Sequence, residues 1–273
     1  MPTIREAAVA GQFYPGDRKS LEQEVDALLR EAAVAVPKGT IRALVSPHAG
    51  YMYSGGTAAH AYRLLQGKKF DAVVIVGPSH RDYFEGVTLF PGDAYRTPLG
   101  EVPIHQELRD ALAAEGIRVS TLGHRLEHSV EVQLPFLQRV LGDFSFVPVV
   151  MGDQDRRSCD QLARALMKAC KGRNVLLVAS TDLSHYHPYE EAERLDRIVI
   201  EDIERFEPDR LMDHLEASQA EACGGGPVVA VMKAAAQLGA CNARILHHCN
   251  SGDIIPQRNA VVGYLSATFL QPD

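Results

Sequence analysis

Three short apolar runs in this chain each end at a polar cluster that carries a histidine. Ala43-Leu44-Val45 leads into Ser46-Pro47-His48, Val73-Val74-Ile75-Val76 into Gly77-Pro78-Ser79-His80, and Val175-Leu176-Leu177-Val178 into Ser180-Thr181-Asp182-Leu183-Ser184-His185. Neutral imidazole is the commonest protein ligand for a metal ion, so His48 and His80, in matching positions, point to metal binding. Taken singly, each histidine could instead serve its own loop by bonding nearby carbonyls. A two-histidine site needs a further donor, and Cys223 is the candidate. It stands in Ala222-Cys223-Gly224-Gly225-Gly226-Pro227, ahead of an apolar stretch, where a helix N-terminus would favour the thiolate that binds metal. The competing reading, which spacing alone favours, is a small buried cysteine beside a glycine turn built for close packing.

Other clusters offer proton chemistry. Asp182 and His185 share one loop, so the carboxylate could orient the imidazole or accept its proton, as in a general base. Equally, Asp182 could cap a helix beside an unrelated histidine. His187, next to Pro188, belongs at the rim or in solvent. Gly123-His124-Arg125-Leu126-Glu127-His128 contains H-x-x-E-H, the inverted zinc-protease pattern, but Pro135 would end or kink the helix that must carry those ligands. A smaller role is preferred: His128 hydrogen-bonds a ligand in the pocket, with Glu127 or Glu131 fixing its tautomer. The triple glycine could cradle an anion at a helix start, though without the Lys and Ser/Thr of a phosphate loop. Cys223 could also act as a nucleophile with His185 and Asp182. Tyr14, Tyr51 and Tyr53 lie near glycine turns and either line the pocket or pack.

The elements that must position these residues are legible. Buried parallel strands read as continuous apolar runs, and ligands bind in the crevice beyond their carboxyl ends, so the three clusters should converge. Strands are predicted at 41–45, 72–76, 146–150, 175–179, 243–248 and 260–269, with short antiparallel pieces over 86–103 that could roof a pocket. Ser20 and Gln23 have capping-box form and open a helix over 20–33; further helices are predicted near 55–66, around Ile104, Leu108 and Leu112, over 162–167, from 190 to 206 as a solvated helix, and from Pro227. With 273 residues, 46% of them hydrophobic, and no linker or repeat, the chain suits one α/β domain over 1–273: a central mixed, largely parallel sheet flanked by helices.

Composition excludes several functions. A net charge of -7 with scattered Lys and Arg leaves no footprint for nucleic acid. The N-terminus does not read as a signal peptide, and no run approaches the ~20 apolar residues of a membrane span. Five cysteines, odd in number and never in C-x-x-C, argue against a disulfide framework or zinc ribbon and place the chain in a reducing cytoplasm.

Taken together, Phe13-Tyr14-Pro15, Ser46-Pro47-His48-Ala49-Gly50-Tyr51, Gly77-Pro78-Ser79-His80, Glu127-His128-Ser129-Val130-Glu131, Asp182-Leu183-Ser184-His185 and Ala222-Cys223-Gly224 resemble the Memo family, also called AmmeMemoRadiSam system protein B, over nearly the whole chain. That family is similar in fold to class III extradiol ring-cleaving dioxygenases of the LigB type, which hold non-haem Fe(II) with two histidines and a glutamate. The resemblance implies a LigB-like domain with His48 and His80 as imidazole ligands and Cys223 where the dioxygenases place the carboxylate. It makes His185 the base, His128 a second pocket histidine, and Asp182 its neighbour. A thiolate is softer than a carboxylate and shifts preference toward iron or copper, with zinc also possible, so ring cleavage does not simply carry over. The expected activity is that of a metal-dependent oxidoreductase acting on a small molecule; the alternative is a non-catalytic metal- or peptide-binding protein, since animal members are described as signalling or metal-handling proteins with redox activity. The number of chains that associate is left open.

Overall fold

A computed structural model of the chain describes residues 3–273. The first half runs β1 (Ile4–Arg5), α1 (Arg18–Glu31), β2 (Thr40–Ser46), α2 (Tyr51–Arg63), β3 (Ala72–Pro78), β4 (Val87–Leu89), β5 (Ala94–Thr97), β6 (Gly100–Pro103), α3 (Gln106–Ala114), β7 (Arg118–Val119) and α4 (Leu134–Leu141). The second runs β8 (Phe146–Met151), α5 (Arg156–Cys170), β9 (Val175–Ser180), β10 (His185–His187), α6 (Tyr189–Glu204), α7 (Pro208–Glu216), α8 (Gly225–Gln237), β11 (Asn242–Asn250), α9 (Ser251–Ile254) and β12 (Val261–Gln271).

Four strands form the parallel centre of the main sheet, in spatial order β2, β9, β3, β8. Their unbroken apolar sequences follow from burial on both faces. In β3, Val74 and Val76 enter the core shared with α3, α5 and α8, whereas Val73 and Ile75 enter the core shared with α1, α2 and α4. That alternation is the two-residue period of a strand, here apolar on each side. Antiparallel strands complete the sheet: β12 pairs with β2, β10 and β11, while β4 pairs with β8. Among the described residues the architecture is a single α/β domain with a mixed sheet of nine strands, largely parallel at its centre and flanked by helices. A smaller sheet of β1, β5 and β6 stands beside it.

Local chemistry moves several boundaries. Asp17, not Ser20, caps α1, its carboxylate accepting the Ser20 N–H at 3.0 Å. The 190–206 segment is solvated on one side only, because α6 buries Ala192, Leu195, Val199 and Ile203 together with Asp196 and Asp202. Those carboxylates are matched by His248 at 3.3 Å and His214 at 2.6 Å. Pro135 lies in the first turn of α4, where its missing N–H costs nothing, instead of kinking a helix already under way. Among the described residues no helix is long and apolar enough to cross a membrane.

Candidate metal centre

Because β2, β3 and β9 run the same way, the turns that follow them open at one end of the sheet. His48 lies two residues beyond β2 and His80 two beyond β3, while Cys223 precedes α8. The sulfur of Cys223 is 3.1 Å from His48 Nε2. Ligand atoms of His48, His80 and Cys223 all fall within 4.8 Å of one another. Donors held at about 2.0–2.3 Å from an ion span about that range, so the three residues could hold a metal.

Hydrogen bonds fix both imidazoles. Ser180 Oγ gives its one hydrogen to the Ser129 carbonyl at 2.6 Å and accepts from Gln133 Nε2 at 2.8 Å. The Gln133 amide is itself oriented, donating to the Pro47 carbonyl at 3.0 Å and accepting from the Tyr62 hydroxyl at 2.6 Å. His48 Nδ1, 2.8 Å from Ser180 Oγ, must therefore donate, which leaves the Nε2 lone pair facing the sulfur. His80 Nδ1 is 2.9 Å from Glu127 Oε1. That same oxygen accepts the backbone N–H groups of His128 and Ser129, each at 2.8 Å. Burial alone would raise the Glu127 carboxyl, but its bond to the His80 ring and the neighbouring imidazoles hold it at about 2, an obligate acceptor. His80 Nε2 is thus free as well, in the carboxylate–histidine arrangement typical of metal ligands.

The remaining rings crowd the same space. His128 stacks on His80 with centroids 4.7 Å apart and meets His48 edge on at 5.4 Å. Burial pushes the His128 imidazole down to about 4, and burial followed by the other histidines drives His48 well below its ordinary value. Both rings are neutral, the form that ligates. Of the two carboxylates expected to fix the His128 tautomer, Glu131 is taken by Arg5, Tyr14 and the N–H groups of Ala8 and Val9, whereas Glu127 Oε1 stands 3.3 Å from His128 Nδ1 but directs its hydrogen bonds to His80 and to backbone N–H groups. His128 Nδ1 is buried without a hydrogen-bond partner.

Asp182 also departs from expectation. Its carboxylate accepts the His48 N–H at 2.8 Å rather than bonding the His185 ring, whose Nδ1 lies 2.7 Å from the Leu183 carbonyl and donates to it. Burial raises the Asp182 carboxyl to about 6. His185 keeps Nε2 free and lines a cleft of about 480 Å³ with Gln154, Leu183, Glu221 and Cys223. Residues 86–103 take no part in that cleft; they supply β5 and β6 of the small sheet and β4 of the large one, and Leu99, Glu101, Val102 and Pro103 line a separate pocket. His187, bonded to Glu221 at 2.8 Å, sits at its rim.

The start of α8 works by packing, not by charge. Burial, then the Asp182 carboxylate, pushes the Cys223 thiol up, against the lowering expected from a helix N-terminus. The anion cradle is filled from within: Gly224 N–H donates to Thr181 Oγ1 at 2.9 Å, Gly225 to the Ala222 carbonyl at 3.1 Å and Gly226 to Gln154 Oε1 at 2.8 Å. A Cβ on Gly224 would stand 2.1 Å from the Ser180 carbonyl oxygen, so only glycine lets α8 carry its cysteine this close to β9. Gly224→Ala is expected to push Cys223 away from His48 at a cost of about 1–3 kcal/mol, read as lower metal content and lower thermal stability together.

His124 is not part of the site. It is buried against the Tyr95 hydroxyl at 2.8 Å and Thr88 at 3.2 Å, and no helix spans 124–128, so the zinc-protease pattern has no physical basis here. Tyr14 and Tyr51 pack in the core, and Tyr53 lines a separate pocket. Sequence reasoning missed Ser180 and Gln133 altogether. Ser180 stood inside the third polar cluster, but nothing local showed that it faces His48.

An α/β domain that gathers imidazoles from neighbouring parallel strand ends beside a helix-start thiol defines a class of proteins with a strand-end cluster able to hold metal. Its fold resembles the crystal structure of uncharacterized protein JW3007 from Escherichia coli K12, with a TM-score of 0.60 and 16% identity over 84% of this chain and 99% of that one. Residues 5–268 match the family model of the Memo-like protein, and the chain belongs to that family. Relatives described as MEMO1 family proteins include one from Methanosarcina mazei, 38% identical over 96% of this chain and 97% of its own length. Another, from Thermotoga neapolitana, is 39% identical over 97% and 99%.

Proposed function

We propose that this chain is a metal-dependent oxidoreductase whose ion is held by His48 Nε2, His80 Nε2 and Cys223 Sγ. The observation that carries the reading is the pair of fixed tautomers: Ser180 and Glu127 each accept a hydrogen bond from Nδ1–H, which leaves the Nε2 lone pairs of both rings free, that of His48 3.1 Å from the Cys223 sulfur. A mixed imidazole and sulfur donor set suits iron or copper, and zinc also fits. A redox-active ion bound there would supply electron transfer between a small organic substrate and dioxygen. The protein's own groups do the rest. His185, with Nε2 free in the cleft, takes up or delivers a proton; His128 hydrogen-bonds the substrate; Asp182 holds the His48 peptide in place. Five unpaired cysteines suit a reducing cytoplasm.

A non-catalytic metal- or peptide-binding role for the same pocket is the second reading, favoured by sulfur where the dioxygenases have a carboxylate. A nucleophilic Cys223 is disfavoured, because burial keeps its thiol protonated and its sulfur is already engaged with His48. Metal analysis of protein purified without chelator, beside His48→Ala, tests the site: equal metal content in the two removes it. Retained metal with no turnover of any small molecule selects the binding role. Glu127→Gln, which leaves a weaker acceptor for His80 Nδ1, should lower metal affinity by roughly 10- to 100-fold in a competition titration.

A further inference from the structure

Beyond His185, β10 breaks its pairing with β12, and the break has a consequence for ligand binding. The register shifts between His185 and His187, so Tyr186 is squeezed out with φ 62° and a side chain 75% exposed. A left-handed backbone is costly for any residue but glycine, and a large exposed aromatic gains no burial in exchange. Tyr186 forms the lip of a pocket of about 250 Å³. Tyr53 from α2 and Tyr264 from β12 line its walls with Ser251 and Gln257. Tyr264 is the informative member. The residue is only 2% exposed, and its hydroxyl, which makes no side-chain hydrogen bond among the described residues, is not sealed in the core but opens at the pocket wall. A hydroxyl at a pocket wall with no protein partner is available to an acceptor on whatever enters. No charged side chain lines the pocket.

We infer that Tyr53, Tyr186 and Tyr264 form a subsite for an uncharged planar ring bearing a hydrogen-bond acceptor, the distal part of the molecule whose reacting end lies at His185. The assignment of the reacting end rests on the proposed function; the ring site itself does not. Phenol faces stack on a flat ring, and the free Tyr264 hydroxyl pairs with its acceptor. An anion would meet no counter-charge there. The pocket neighbours the His185 cleft: the His185 and Tyr186 rings, one lining each cavity, meet edge on at 5.7 Å.

The test uses the full chain with 13C-labelled tyrosine rings, titrated with benzamide and followed by NMR. Saturable shifts of the Tyr53, Tyr186 and Tyr264 signals are expected, and Tyr186→Gly should raise the dissociation constant by about fivefold to tenfold. That variant removes a strained side chain and is expected to unfold at the same temperature or higher, so lost binding will not reflect lost fold. Tyr53→Ala provides a second weakened variant. Cys223→Ser should bind benzamide as tightly as the parent, which separates this site from the metal reading. Absence of a saturable shift, unchanged affinity in Tyr186→Gly, loss of binding in Cys223→Ser, or tighter binding of benzoate or tetramethylammonium would each overturn the proposal.

Discussion

Cys223→Ser, purified without chelator, is expected to hold less than about a tenth of the metal of the parent chain, and to bind added ion roughly 100-fold more weakly or worse. Loss of a single hydrogen-bonding partner behind a ligand already costs about 10- to 100-fold, and here a ligand atom itself is exchanged for a poor one. Serine keeps the size of the side chain and can still donate to His48 Nε2, so the domain should fold. The two proteins then differ in their response to ion. Added metal at 100 times the dissociation constant stabilises the parent by about 2.7 kcal/mol and should raise its unfolding temperature, while the variant stays where it was. Equal stabilisation of both would show that the sulfur takes no part.

The second large effect lies away from the proposed ion site. Arg5 is 4% exposed and reaches from β1 into the segment that carries Glu127 and His128. Its guanidinium bonds the Glu131 carboxylate, the His124 carbonyl and the Glu127 carbonyl. Glu131, wholly buried, also accepts the Ala8 N–H at 2.8 Å, the Val9 N–H at 3.1 Å and the Tyr14 hydroxyl. Removing one member of a buried charge pair strands the other, at a cost of about 3–5 kcal/mol. Arg5→Ala should therefore unfold about 10 °C lower than the parent at this chain size, measured on metal-free protein. The Glu127 acceptor for His80 rides on the same segment, so metal affinity should fall as well. A shift under about 2 °C would mean that the N-terminal strap rearranges without loss.

The strands were readable because burial on both faces leaves no choice of residue: β2, β3, β8 and β9 show as apolar runs with polar punctuation at their ends. His48 and His80 were readable for the same reason, since the end of a central parallel strand fixes where the next residues point. The sulfur was not, because its meeting with His48 spans 175 positions and depends on how close α8 comes to β9. The partners of the rings were harder still. Glu127 lies one residue from His128 but bonds His80, because residues 124–130 follow no helical or strand period that would assign their side chains to a face. Asp182 invited pairing with His185, its neighbour in the loop, and instead accepts a backbone N–H from the turn after β2. Charge at the start of α8 misled for a physical reason too: burial and then the Asp182 carboxylate push the thiol up.

That long reach between His48 and Cys223 sets an order of events during synthesis. A chain leaving the ribosome N-terminus first presents both imidazoles long before it presents the sulfur, and β2 gains its neighbour β12 only after α8 and β11 have followed. On the proposed three-donor site, the full ligand set can therefore assemble only after the start of α8 has been made, so ion uptake there would follow, and not guide, the pairing of β2 with β9.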